Sequence, residues 1–448
     1  MNGVKRRTVA VVGGGISGLA AAWLLARSHD VTLFERDGRL GGHANTVDVP
    51  GPDGSPLAVD TGFIVFNEAT YPNFCALLDH LGVPSLPTEM SFSVSLDGGK
   101  LEYSGTNLAG LFAQRRNILR PRFWSMLQDL LRFYRQAPRD AAGLDDGVVS
   151  LGDYLRAGRY GQAFLDDHLL PMASAIWSAP CAEILSYPAS AFIRFHDNHG
   201  LLKLAGRPAW RTVVGGSRSY VAALRADLEG RIATGVAVTS VLRGANGARL
   251  QLADGSTERF DEVVLATHAD DTLALLADAS GEEQAILGAF RYSENLAVLH
   301  SDPGLMPQRR AAWSSWNHIG DRRRPNDPCA VTYWMNRLQG LPGDRDLFVT
   351  LNPPVSPREE TIIRTESYRH PLFDAAAIGA QSRLWSLQGH RNTWFCGSYF
   401  GAGFHEDGLQ AGLAVAEDLG GIRRPWDVDN DSGRIVRHPP QPLLAAAE

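Results

Sequence analysis

Apolar positions divide the chain into short buried runs punctuated by glycine. Thr8-Val9-Ala10-Val11-Val12 is a continuous hydrophobic stretch of strand length, and Leu19 to Ala26 is an alanine- and leucine-rich stretch with strong helix preference. Val31-Thr32-Leu33-Phe34 predicts a second buried strand, ending at Glu35. Further on, Gly215-Gly216 opens a helical stretch from Ser219 to Leu228. A strand run Ile232 to Val238 follows, then the alternating strand Ala248 to Leu252 and a hairpin turn at Asp254-Gly255. Glu262 to Thr267 reads as another buried strand, and Phe395 ends a short one. Between these lie a helix beginning at Pro121, with Phe123, Leu127, Leu130 and Tyr134 on one face, and the strand-like runs Cys329–Trp334 and Leu347–Leu351. No internal repeat is visible.

The glycines between the first strand and helix, Gly13-x-Gly15-x-x-Gly18, have a chemical meaning. Gly13 permits a tight turn, Gly15 lets the backbone approach a pyrophosphate, and Gly18 lets helix and strand pack closely. The pyrophosphate would sit on free N–H groups at the positive end of the helix. Glu35 is placed to accept from a ribose 2′-hydroxyl. The fold class is therefore α/β with a Rossmann-type dinucleotide-binding unit. A second glycine turn, Gly41-Gly42, follows Glu35. It suits an extended flavin dinucleotide, which needs a second close backbone approach, and taken alone it also fits an ordinary loop turn.

Gly-x-Gly-x-x-Gly, Glu35 and Gly41-Gly42, with Trp394-Phe395-Cys396-Gly397-Ser398 and Gly408-Leu409-Gln410-Ala411-Gly412 near the other end, resemble the FAD-dependent amine oxidase, phytoene desaturase and protoporphyrinogen oxidase superfamily. Gly41-Gly42-His43, Asp60-Thr61-Gly62-Phe63 and Thr332-Tyr333-Trp334-Met335-Asn336 resemble its bacterial amine-oxidase-like branch, whose members accompany cyclopropane fatty-acid synthases and related lipid methyltransferases. His43 stands where an arginine is usual, and Ser398 where an aspartate is common. The resemblance implies non-covalent FAD held by Gly13, Gly15, Ser17, Gly18, Glu35, Arg36, Gly41, Gly42, His43, Gly62, Phe63, Val238, Gly397, Ser398, Gly408 and Leu409. It implies a two-domain, p-hydroxybenzoate-hydroxylase-like architecture. A Rossmann-type FAD-binding domain (1–65, 205–270 and 390–421) is split by insertions (66–204 and 271–389). The insertions form a mixed sheet-plus-helix substrate domain, with its helical part near 105–190. Residues 422–448 are expected to be a loose tail. In the last FAD segment Asp407 is expected to cap a helix, with Gln410 completing a capping box, so that Gly408 and Leu409 present N–H groups to the flavin.

Composition narrows the function. In 448 residues, 44% are hydrophobic and 21% charged, and the net charge of −6 argues against nucleic acid as a partner. No apolar run approaches membrane-spanning length and no secretory leader precedes the first strand, so a cytoplasmic location is expected. Cys75, Cys181, Cys329 and Cys396 form no Cys-x-x-Cys pair. His196-Asp197-Asn198-His199 lacks further ligands, so no metal is expected, and Cys396 reads as a buried thiol rather than a flavin tether. His405 is the acid/base candidate, with Tyr399 beside it. Trp177, Tyr333, Trp334 and Phe400 are candidates for an apolar substrate pocket, each equally suited to a core. Residues 108–139 hold seven arginines and one aspartate among aromatics. The segment fits either a peripheral membrane contact, at the inner membrane face, or a solvated helical face whose aromatics serve the core. The expected activity is oxidation or desaturation of a hydrophobic substrate, a lipid or fatty-acyl chain, with a lipid methyltransferase as pathway partner. The alternatives are an amine oxidase and a redox-neutral flavoprotein (an isomerase, or an accessory protein using FAD structurally).

Overall fold

The computed structural model describes residues 6–144, 148–204, 206–228 and 230–437. Its centre is a five-stranded parallel sheet in the order Arg231–Thr234, Asp30–Glu35, Thr8–Val12, Glu262–Leu265, Thr393–Phe395. Three distant stretches of chain thus build one sheet, as a right-handed crossover fold permits. Both faces are covered, which is why its central strands are nearly all apolar. The first helix, Ile16–Leu25, is buried along its whole length. It packs against the last one, His405–Gly420. A side chain at Gly412 would run into the Ser17 backbone, and one at Gly18 into the Gly13 carbonyl, so these two glycines set how closely the helices and the turn nest.

The run from Ile232 to Val238 does not form one strand. Gly235 adopts φ +72° and divides it into Arg231–Thr234, in the parallel sheet, and Val238–Gly244, in a three-stranded antiparallel sheet with Gly247–Leu252 and Thr257–Phe260. The second large unit is a seven-stranded sheet in the order Ile362–Leu372, Arg291–His300, Phe348–Leu351, Ala330–Trp334, Trp316–Gly320, Phe92–Leu96, Leu101–Ser104. Helices between Leu108 and Asn198 pack beside it. The helix Pro121–Asp140 buries Phe123, Met126, Leu130, Phe133 and Ala137, a face turned slightly from the expected one.

The stretch after Gly421 is packed rather than loose through residue 437. The Arg424 side chain is fully buried, with its guanidinium bidentate on Glu417 at 2.8 and 3.0 Å. Trp426 stacks on Trp23 at 5.9 Å, and Arg434 reaches the Asp407 carboxylate at 2.5 Å. Residues 438–448 lie outside the described residues.

Candidate functional site: a cleft between the two sheets

One cavity of about 1170 Å³ runs from the glycine turn of the parallel sheet to the helices of the second unit. Gly13, Gly15, Ser17, Glu35, Arg36, Gly41, Gly42, His43, Gly62, Phe63, Val238, Gly397 and Ser398 all lie on its wall. Gly18, Gly408 and Leu409 do not. Gly408 sits against Ser17 and Ile16, and its N–H donates to the Phe404 carbonyl at 3.2 Å, inside the helix. The reason is where the helix begins. Its first residue is His405, so Asp407 lies in the first turn and accepts from the Phe404 N–H at 2.7 Å, while Gln410 donates to Glu406 at 2.9 Å. The N–H groups expected to face the ligand from Gly408 and Leu409 are already committed.

The cradle at the other helix fits a dinucleotide. Gly13 has φ +109°, and a side chain there would meet the Ala266 carbonyl at 2.7 Å. Gly15 differs: a Cβ on it meets nothing within 4 Å, so it borders open space at the N-terminus of Ile16–Leu25, where no side chain caps the free N–H groups. Glu35 accepts from Gly14 N–H at 2.7 Å and from Asp37 N–H at 2.9 Å, which orients its carboxylate on the cavity wall. The Gly41-Gly42 turn is pinned to the first by the Gly41 N–H on the Gly14 carbonyl at 2.8 Å. These residues would hold the pyrophosphate and ribose of FAD. Gly15→Val is expected to leave the fold intact, because the backbone there is extended (φ −74°) and the space is open. It should weaken flavin binding at least 100-fold, about 2.7 kcal/mol. Titrating the apoprotein with FAD checks this. Unchanged affinity would place the cradle elsewhere.

Beyond the cradle, Phe63 stacks face to face on His405 at 3.8 Å, and the His405 Nε2 is held by the Tyr220 hydroxyl at 2.6 Å. Burial lowers the His405 pKa to about 3, so at neutral pH the ring is uncharged and a poor proton acceptor. Tyr399 also lines the cavity, and burial raises its phenol well above the usual value, so it stays protonated. Both side chains are thus uncharged at neutral pH and both line the cavity, where their place beside the flavin motif put them. Cys396 is fully buried, its thiol pushed up by burial, and it is not on the cavity wall.

Three residues that the sequence did not single out gather around His43. Tyr368 lies at 5.0 Å and His370 at 5.3 Å, two apart on one strand and so on one face, with His268 at 6.2 Å. Burial holds the His43 pKa well below the ordinary value, and its Nε2 has no partner. Alternation of Tyr368 and His370 was the one signal available, and without the sheet register it points nowhere. His268, Asp270 and Asp271 bring three potential ligand atoms within 4.8 Å of one another. Arg369 pairs with both carboxylates, so a cation there would meet a guanidinium. His196 and His199 each engage a carbonyl four residues back, at 2.8 Å, as helix-internal contacts.

The remaining wall is mixed, aromatic and aliphatic side chains alternating with Glu89, His168, Arg207 and Glu294. Trp177 and Tyr333 line it. Trp334, the next residue on the strand Ala330–Trp334, points to the opposite face, where its indole donates to Asp346 at 2.9 Å. Phe400 is also off the wall, buried against Tyr399 and Trp385. Phe92, Tyr134, Met172, Ile176, Phe195 and Trp316 complete the chamber.

Comparison with known proteins agrees with this geometry. The family model for flavin containing amine oxidoreductases matches residues 16–286. A Mycobacterium tuberculosis protein named as a flavin-containing monoamine oxidase, AofH, is 29% identical over 258 residues, 56% of this chain and 54% of that one. Protoporphyrinogen oxidase of Bos taurus is 34% identical over 134 residues, 28% of each chain. The matched region therefore spans about half the length of the first relative or less. Two solved structures share the fold. A putrescine oxidase with putrescine bound has a TM-score of 0.65 at 15% identity, covering 93% of this chain and 99% of its own. A CLA-producing fatty acid isomerase from P. acnes has a TM-score of 0.63 at 16% identity, covering 92% and 97%. With its glycine cradle, Glu35 and a family match over more than half its length, the chain belongs to the flavin-containing amine oxidoreductase family, with FAD as its cofactor.

Proposed function

We propose that this protein oxidises or desaturates a hydrophobic substrate, a lipid or fatty-acyl chain, held in the chamber beside Phe63. The observation that carries the reading is the group of aliphatic and aromatic side chains on the chamber wall, Phe92, Met172, Ile176, Trp177, Trp316 and Tyr333, beside His405 and Tyr399, which burial keeps neutral at physiological pH. FAD, when bound, supplies a hydride acceptor at its N5. The protein's own part is to orient and to exclude water. Phe63 and His405 form a rigid stacked pair, Tyr220 fixes the imidazole, and Trp177, Tyr333 and Trp316 wall the chamber. Apolar burial of an acyl chain drives such binding at roughly 25 cal/mol per Å². Of the acidic groups on the cavity wall, Glu89 pairs with Arg337, Glu366 with Arg364 and Asp271 with Arg369, while Glu294 has no ion pair among the described residues and is the carboxylate a charged amine would meet.

Anaerobic mixing tests the reading. Acyl lipids are expected to bleach the flavin absorbance while putrescine and spermidine leave it unchanged. Bleaching by the amines alone would replace this reading with amine oxidation. A fatty acid whose double bond moves with no net bleaching would replace it with isomerisation, the activity named for the structural relative from P. acnes.

A further inference from the structure

Exposed residues of the cavity wall adjoin a surface that none of the chemistry above uses. Gly105 and Thr106 are part of the cavity wall. The chain runs from them through Asn107 into the short helix Leu108–Leu111, then a single turn at Arg115–Leu119 and the start of the long helix Pro121–Asp140. Along this stretch Leu108 is 75% exposed, Leu119 85%, Ile118 48% and Trp124 49%. Scattered exposed apolar residues are normal, whereas several on adjoining turns mark an interaction surface. The Trp124 indole donates to the Ile118 carbonyl at 2.8 Å, which ties the long helix to the turn before it, and Asn107 caps the short helix that carries Leu108 through the Gly110 N–H at 2.8 Å.

Cations surround it. Arg116 and Arg120 both donate to the Lys100 carbonyl, at 3.0 and 2.8 Å. With Arg115 and Lys100 they have no carboxylate partner among the described residues, while Arg122 and Arg132 are paired with Asp166, Asp167 and Asp129. Arg207 lies on the cavity wall without a carboxylate partner among the described residues, near exposed Leu204. The basic-aromatic segment thus divides in two. Phe123 and Phe133 of the long helix belong to the core, and the exposed face is mostly the loop before it.

The geometry points to a membrane-docking surface. Leu108, Ile118, Leu119 and Trp124 enter the interface of an anionic bilayer, Arg115, Arg116, Arg120 and Lys100 meet its phosphates, and the cavity mouth at Gly105-Thr106 faces the lipid. Leu, Ile and Trp inserted among unpaired Arg and Lys are the composition of interfacial segments. In a chain of net charge −6, this cation cluster orients the protein toward a negative surface. The four exposed apolar side chains have nothing to gain from a nucleic-acid backbone. Among the described residues no helix is long and apolar enough to cross a membrane, so the contact is peripheral.

Flotation of the FAD-loaded protein with vesicles tests this, using phosphatidylcholine with or without one-third phosphatidylglycerol. Binding is expected to the anionic vesicles only, to fall with added salt, and to drop about tenfold in Leu108→Ser/Leu119→Ser and in Arg115→Gln/Arg116→Gln. All four positions are exposed and away from the cradle, so an unchanged flavin spectrum shows that the variants are folded. The proposal is overturned by no flotation with anionic vesicles, by flotation that the leucine pair leaves unchanged, or by a dimer that this pair dissolves. Binding is read without turnover, so the result is independent of which substrate is oxidised.

Discussion

Lowering the pH from 7 to 5.5 is expected to reduce the folding stability of this protein by several kcal/mol. Burial lowers the pKa of His168, His196, His300, His318 and His370 to about 4, and that of His199 and His405 to about 3, with His43 held well below the ordinary value. In the unfolded chain each takes up a proton near pH 6.5. The folded protein refuses those protons, so the stability these groups contribute is complete above pH 6.5 and is lost as the pH falls toward 3 to 4. Between pH 7 and 5.5 the loss is about 1 kcal/mol for each histidine that stays neutral in the fold.

Asp60 works in the opposite sense. It is buried, its pKa raised by burial to about 6, so protonation favours the folded state between about pH 6 and 4. That returns about 1 kcal/mol at pH 5.5. The histidines win. The deficit that remains is a substantial share of a typical total stability of roughly 5–15 kcal/mol. Urea unfolding at fixed free FAD, at half-unit pH steps, should show uptake of several protons on unfolding. A stability that stays flat from pH 7 to 5.5 would contradict the burial of these rings.

Arg424→Ala should cost about 3–5 kcal/mol, the range for breaking a buried ion pair by removing one partner. The guanidinium has no exposed surface. Besides Glu417 it serves the Asn73 side-chain oxygen at 2.8 Å and the Asp431 carbonyl at 2.7 Å. Its loss leaves the Glu417 carboxylate buried with the backbone N–H of residue 424 at 3.0 Å, Arg423 at 3.6 Å and Arg437 at 4.0 Å. Those two cations place the expectation toward the lower end of the range. Arg424→Met combined with Glu417→Gln should recover a large part of the loss, because no uncompensated charge remains. Urea titration of the single and double variants checks both statements. A single variant within about 0.5 kcal/mol of the parent, as is usual for surface changes, would mean that this stretch is not docked.

The first strand, glycine turn and helix were readable because their signals are local. A run of apolar residues, a φ that only glycine adopts freely and a good helix former all act within a few residues. The same holds for Glu35, for the Gly41-Gly42 turn and for the hairpin at Asp254-Gly255. Their places on the cavity wall or in the sheets follow from the strand–turn–helix unit.

What the sequence left open depends on contacts between distant segments. Asp407 and Gln410 make a plausible cap, but the helix starts at His405, and Asp407 is drawn to Arg434 from far along the chain. Trp334 and Tyr333 are equal candidates until the sheet assigns them opposite faces. The glycine-rich sequence around His405 reads as exposed, whereas Phe63 and Tyr220 pack on the ring and burial lowers its pKa, since a histidine's pKa is set by its surroundings and not by its neighbours in sequence. By itself the sequence determined the dinucleotide cradle and the cofactor class. Tertiary structure alone decided which side chains line the cavity, which histidines are buried and which apolar residues remain exposed. Each of those is a property of a three-dimensional environment that no local spacing encodes.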